Sequence, residues 1–222
     1  MSAENWDAAY LANTQMSVWP WSDLISYVNK FAKNLPVATN LLELGFGAGA
    51  NLPFFLSLSK LNYYGIEQSE KAFEFVCRKF PTIASQLRCG KITENLFPDV
   101  IFGLVVDRAT LTHNTTSAIL QTLKNLTTCM SPGSIFIGID WFSKSHADSN
   151  LGIIEDEFTR TNIQTGQFAN LGSVHFSDTE HLKKIFNQAG FEIVLLEHKL
   201  ITREIPHGSN FGSFNFVARL II

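Results

Sequence analysis

Leu41-Leu42-Glu43-Leu44-Gly45-Phe46-Gly47-Ala48-Gly49-Ala50-Asn51 decides the fold of this 222-residue chain. A short apolar run passes into three alternate glycines and then into a helix-like stretch reaching about Ser59. An apolar run of this length suits a strand buried on both faces. Glycine can take positive φ and has no Cβ, so the backbone after the strand can approach a ligand closely. In open α/β sheets ligands sit at the carboxyl edge of the strands, so the stretch reads as strand, binding turn, helix.

Two acids frame the turn. Glu43 stands two residues before the first glycine, and Glu67 ends a second short strand, Tyr63-Tyr64-Gly65-Ile66-Glu67, eighteen residues after Gly49. An acid at the tip of the second strand is placed to accept hydrogen bonds from both hydroxyls of a ribose. Together the two features point to a nucleoside-containing ligand. Gly45, Gly47 and Ala50 also satisfy G-x-G-x-x-A, which makes an NAD-dependent oxidoreductase the first alternative. An acid beside the first glycine would oppose a pyrophosphate but suits the ammonium of a methionine moiety, so S-adenosyl-L-methionine (SAM) is the favoured ligand.

Working outward, residues 1–20 read as an arm ending in Trp19-Pro20-Trp21, after which Trp21, Leu24, Ile25, Val28 and Phe31 recur at helical spacing. Downstream of the second strand come a helix over 70–80, a weak strand at 87–89 and an apolar strand at 100–106. A helix over 115–130 then stops before Pro132-Gly133, and a strand follows at 134–139. Residues 140–176 lack a regular period, a length usual for a lid or binding loop, with a short helix expected around 153–158. Ser177-x-x-Glu180 is a capping-box pattern that opens a helix ending at Gly190. Strands at 191–205 and 211–222 follow, joined by a turn around His207-Gly208-Ser209-Asn210. This alternation predicts an α/β fold, a doubly wound and mostly parallel sheet with helices on both faces and an antiparallel strand at the end. The expected layout is an arm and helix (1–39) covering the pocket of one domain (40–222), which carries a lid-like insertion at about 141–176.

Composition narrows the partners. Hydrophobic residues make up 45% and charged residues 17%, enough apolar material for a full core. The net charge is −3 and no run of Lys and Arg exists, which counts against a nucleic acid, whose phosphates call for concentrated positive charge. Cys77, Cys89 and Cys129 are far apart, so neither a metal site nor a disulfide framework is indicated. The start is acidic and polar and no eighteen consecutive residues are apolar, so a cytoplasmic protein without membrane association is expected.

Residues 41–51, 65–67, 103–116 and 131–140 resemble the successive motifs of the class I, Rossmann-like SAM-dependent methyltransferases, and the likeness extends over residues 40–222. The resemblance implies a seven-stranded sheet with its last strand antiparallel. It implies that Glu43, Gly45, Phe46, Gly47 and Gly49 hold the methionine part of SAM. Glu67 would hold the ribose, with Gln68, Ile92 and Asp107 completing the cofactor site. S-adenosyl-L-homocysteine (SAH) is the implied product. Lys91 stands where the family commonly places an acid against the adenine amino group, so Ile92 and backbone amides would hold that ring instead.

The loop Asp107-Arg108-Ala109-Thr110-Leu111-Thr112-His113 leaves the fourth strand beside the reacting methyl by the same resemblance, and it lacks the N/D-P-P-Y signature of amide and nucleobase methyltransferases. Asp107 and Arg108 read either as an internal ion pair or as substrate contacts. Removing a hydroxyl proton calls for a base, and His113 or His175 is expected in that role with Asp107 or Asp140 orienting it. Trp19, Trp21, Arg108, Trp141 and Arg160 are the expected substrate contacts. Trp19–Asp23, Asp140–Phe142 and His175–Asp178 are similar to a subgroup found among bacterial polysaccharide and capsule genes, which implies O-methylation of a sugar or sugar-like small molecule. A SAM-binding module without catalysis is the other alternative, and a homodimer stays open.

Overall fold

The first strand, β1 (Thr39–Leu44), has neighbours on both sides and carries alternate residues to opposite faces, so its apolar run feeds two cores at once. The computed structural model describes residues 3–12, 16–95, 97–206 and 208–222. In chain order the helices are α1 (Ala3–Leu11), α2 (Ser22–Phe31), α3 (Leu52–Ser57), α4 (Glu70–Lys79), α5 (Thr116–Thr127) and α6 (Thr179–Gln188). The remaining strands are β2 (Leu61–Glu67), β3 (Leu87–Cys89), β4 (Phe102–Arg108), β5 (Met130–Phe142), β6 (Ile153–Asp156), β7 (Thr159–Thr161), β8 (Val174–His175), β9 (Phe191–Ile201) and β10 (Phe211–Leu220).

Seven strands form one sheet in the order β3-β2-β1-β4-β5-β10-β9, with β1 to β5 parallel and β10 antiparallel to both of its neighbours. Leu41, Leu104, Val106, Ile137 and Ile139 face α2, α3 and α4, whereas Leu42, Val105, Phe136 and Phe216 face α5 and α6. That period of two is what buries both faces of a parallel sheet. The strand order reverses between β1 and β4, which opens a crevice at their carboxyl ends. The doubly wound sheet expected from the alternation is present.

Several local expectations are corrected. The arm contains α1, whose Asp7 reaches the N-terminus of α4 and accepts from Ser69 Oγ and the Lys71 amide. An acid there meets unpaired helical N–H groups, a tertiary gain that the weak pattern of α1 could not announce. Residues 153–158 form a hairpin, not a helix, because Asp156 turns the chain by accepting from the Phe158 amide and the Thr159 hydroxyl. β6, β7 and β8 make a second, three-stranded antiparallel sheet above the main one. β5 runs on to Phe142, so Asp140 and Trp141 belong to the strand and the insertion starts after it. Asp178, not Ser177, caps α6, accepting from the His181 amide at 2.8 Å. β9 ends at Ile201; His207 of the expected turn lies outside the described residues.

Candidate active site

The crevice at the reversal holds a cavity of about 290 Å³. One end is walled by the turn after β1. Gly45 (φ +66) and Gly47 (φ +53) both line it in a conformation that other residues enter at a cost. A Cβ at Gly45 would stand 2.2 Å from Thr110 Oγ1, so only glycine lets the loop after β4 close against the turn. The Gly45 amide donates to the Ile66 carbonyl at 2.8 Å, which ties the turn to the end of β2.

Glu67 holds this end together. Its two carboxylate oxygens accept from the Gly47 and Ser69 amides, each at 2.8 Å, bridging the glycine turn and the start of α4. Burial pushes this carboxyl up, and those backbone amides oppose the shift. Gln68 and Ile92 also line the cavity, as expected. Trp6 and Tyr10 of α1 roof it, and a Cβ at Gly47 would approach Tyr10 Oη to 2.7 Å. Neither aromatic was singled out in the sequence, because the arm carried no pattern that fixed where it would lie.

Glu43 is placed differently from its expected role. It is buried under the turn, accepting from Asn51 Nδ2 at 2.7 Å and Tyr63 Oη at 2.6 Å, and it does not line the cavity. Burial pushes its carboxyl up to about 7 against those two hydrogen bonds. Its neighbour Asn51 does line the cavity, and with its amide nitrogen engaged on Glu43 it keeps a buried Oδ1 with no hydrogen-bond partner. Phe46 and Gly49 are likewise off the wall; Val76, Leu52 and Phe80 fill the space around Gly49.

The other end is made of side chains. Trp21, Arg108, His113, Phe142, Gln167, Phe168, Leu171 and Phe211 come together there from the residue before α2, the end of β4 and the turn after it, β5, the insertion and β10. The Arg108 guanidinium lies 3.6 Å from the centre of the Trp21 ring and bonds Asp140 at 3.2 Å through Nη2. Asp140 is held in turn by Lys199 Nζ at 2.9 Å, and Lys199 also bonds Asp23. Arg108 therefore pairs with Asp140 rather than forming the internal pair with Asp107.

His113 ends a short turn after β4, with Trp6 edge-on at 5.2 Å and Phe142 at 5.6 Å. Burial pushes its imidazole down to about 4, opposed by the Ser173 backbone, and Nδ1 is buried without a hydrogen-bond partner. Neither expected orienting acid touches it. Asp107 is fully buried off the cavity wall, accepting from the Thr110 and Leu111 amides at 3.2 and 3.1 Å, and burial pushes it up to about 7. It shapes the loop. Asp140 belongs to Arg108 and Lys199.

Four further expectations are corrected. His175 is buried away from the cavity, with its nitrogens at 3.1 Å from Thr159 Oγ1 and from Ser177 Oγ, and 3.2 Å from His181 Nε2. Trp141 is in the core, packed on Phe136, Phe186 and Phe216. Arg160 bonds the Asp156 and Thr159 carbonyls, and Trp19 is 80% exposed; neither lines the cavity.

These residues fit SAM. Two cavity-lining glycines in left-handed conformation, a preorganised carboxylate at Glu67 and an unpartnered acceptor on Asn51 match a ligand that carries ribose hydroxyls and an ammonium group. A family profile described as a methyltransferase domain matches residues 14–196. No curated protein sequence matches the chain. Solved structures show the same fold. A SAM-dependent methyltransferase from Clostridium acetobutylicum is 16% identical with a TM-score of 0.65, 96% of each chain being covered. A SAM-bound amino pentose methyltransferase of Micromonospora echinaspora, involved in calicheamicin biosynthesis, is 17% identical with a TM-score of 0.64 over 96% of each chain. The cyclase SpnF is 14% identical with a TM-score of 0.68, over 100% of this chain and 98% of its own. With four-fifths of its length matched by the profile, the chain belongs to the methyltransferase domain family.

Proposed function

We propose that the protein methylates a hydroxyl of a small, sugar-like molecule, with His113 taking the proton. The observation that carries this reading is the placement of His113, the one histidine among the described cavity-lining residues, whose buried Nδ1 has no partner. SAM supplies the electrophilic methyl; the chain's own residues hold, align and exclude water. Glu67 would accept from the ribose hydroxyls, and Asn51 Oδ1, steadied by Glu43, would accept from the ammonium. Ile92 would pack on the adenine. Trp21, Phe142, Phe168 and Phe211 offer flat apolar faces to the C–H surface of the acceptor. With SAM supplying the methyl, His113 would take the proton that the acceptor hydroxyl gives up.

A histidine held near 4 is in its neutral, proton-accepting form at every pH above about 5. The test is transfer of labelled methyl from SAM to a panel of monosaccharides, sugar nucleotides and small hydroxy acids. The expected outcome is transfer to one of them with kcat flat from pH 8 down to about 5. A fall in kcat beginning near 6.5, the ordinary histidine value, would take the base role away from a buried His113. The likeness in fold to SpnF, a [4+2]-cyclase, favours a second reading, the same fold put to use without methyl transfer. Tight SAH binding with no labelled product from any acceptor supports it.

A further inference from the structure

Arg108 is the one cation among the described residues that line the cavity, and Glu67, at the opposite end, is the one acid. Its state is unusual for a purely structural arginine. A guanidinium used as a brace makes a two-point pair with its carboxylate, whereas Arg108 touches Asp140 through a single nitrogen at 3.2 Å. That carboxylate is already shared with Lys199 at 2.9 Å. Arg108 Nε is buried and has no hydrogen-bond partner. Trp21 stacks on the guanidinium at 3.6 Å and holds its plane, leaving its edges to meet a ligand. Burial pulls the Arg108 pKa down, yet a guanidinium stays charged at neutral pH.

We infer that the acceptor carries an oxyanion, a carboxylate or a phosphate, and that Arg108 braced by Trp21 reads it. The inference rests on the methyl-transfer reading above and narrows its acceptor to an acid such as a uronate or a sugar phosphate. Two charges favour it. The sulfonium of SAM would add positive charge beside Arg108, whose single contact to Asp140 is shared with Lys199, and an anionic acceptor offsets part of it. An oxyanion also supplies acceptors to the unsatisfied Nε–H, with the two-point geometry that arginine prefers. A neutral sugar could offer that donor a hydroxyl oxygen, but not a charge-assisted, two-point partner.

The experiment is calorimetry on the full chain, first with SAH and then, on SAH-loaded protein, with two matched pairs: glucuronate against glucuronamide, and glucose 6-phosphate against glucose. The expected result is that the anionic member of one pair binds at least tenfold more tightly than its neutral counterpart. Which pair shows the difference tells carboxylate from phosphate. In Arg108→Gln the ratio falls below threefold with SAH affinity kept, and Arg108→Lys lies between. The wild-type pairs decide the matter even if Arg108→Gln does not fold. Three outcomes overturn the inference while SAH still binds: equal affinity within both pairs, no binding of either anion, or an undiminished preference in Arg108→Gln. Absence of SAH binding itself would overturn the methyl-transfer reading, and this inference with it.

Discussion

One end of the cavity is fixed by two loops that follow neighbouring strands, and the other by side chains gathered from distant parts of the chain. The cofactor end is built from residues 45–51 and 67–69, the loops after two neighbouring parallel strands, tied by the Gly47 and Ser69 amides on Glu67. The acceptor end gathers Trp21, Arg108, His113, Phe142, Phe168 and Phe211, which are scattered over nearly two hundred residues. A wall fixed by a positive-φ turn, with its amides tied to Ile66 and Glu67, tolerates little change. A wall of side chains can be altered one residue at a time, so specificity belongs at that end. Substitutions at the two ends should therefore separate affinity for SAH from turnover.

The largest effect is expected at His113. His113→Ala should lower kcat by about 10²- to 10⁴-fold, the usual contribution of a general base, with SAH affinity unchanged. His175→Gln should leave kcat within about threefold; equal losses from both substitutions would erase the distinction drawn between the two histidines. Next comes Glu67→Ala, which removes a charged acceptor from two amides and from the ligand. Hydrogen bonds to charged groups contribute about 1.5–3 kcal/mol each, so the SAH dissociation constant should rise about 100-fold, read by calorimetry. Glu43→Gln should shift that constant less than about tenfold and instead lower unfolding stability by about 1–3 kcal/mol, since it disturbs buried partners beneath the turn. Should Glu43→Gln weaken SAH binding as much as Glu67→Ala, Glu43 touches the ligand after all.

The same residues give opposite responses to pH. His175 is held neutral, down to about 3 against 6.5 in the unfolded chain, by burial and by the neighbouring His181. Its contribution is complete above 6.5 and is lost as the pH falls, by about 1.4 kcal/mol per unit, because the unfolded chain takes up the extra proton. Glu43 is raised to about 7 by burial, so its contribution is present below about 4.5 and is lost as the pH rises through 7. Unfolding measured between pH 4.5 and 7 should show the stability difference between wild type and His175→Gln growing with pH, and that between wild type and Glu43→Gln shrinking. Parallel slopes would contradict both assignments. The smallest effects belong to the tryptophans of the arm. Trp21→Ala should raise the acceptor KM several-fold, whereas Trp19→Ala, exposed and off the wall, should change neither KM nor kcat.

The cofactor end was legible because its signals are local. A buried apolar run, alternate glycines and an acid at the next strand tip each follow from backbone sterics or from an interval of about twenty residues. The small sheet of the insertion was not legible, because Asp156 turns the chain there through hydrogen bonds to Phe158 and Thr159, and Asp156 also reaches across to Thr116 at the start of α5. Nor was α1, which owes its place to Asp7 meeting α4. Glu43 shows how a correct motif can carry the wrong contact. Its spacing before the turn was read rightly, but the strand's alternation turns it inward onto Asn51 and Tyr63.

The amino-acid sequence by itself determined the doubly wound sheet and the glycine turn after its first strand, since periodicity and glycine conformation act within a few residues. Tertiary structure alone decided that His113 and not His175 meets the cavity, that Trp141 fills the core, and that Arg108 leans on Trp21. Those outcomes depend on which distant side chains share one buried volume, and that is set by the packing of the whole sheet.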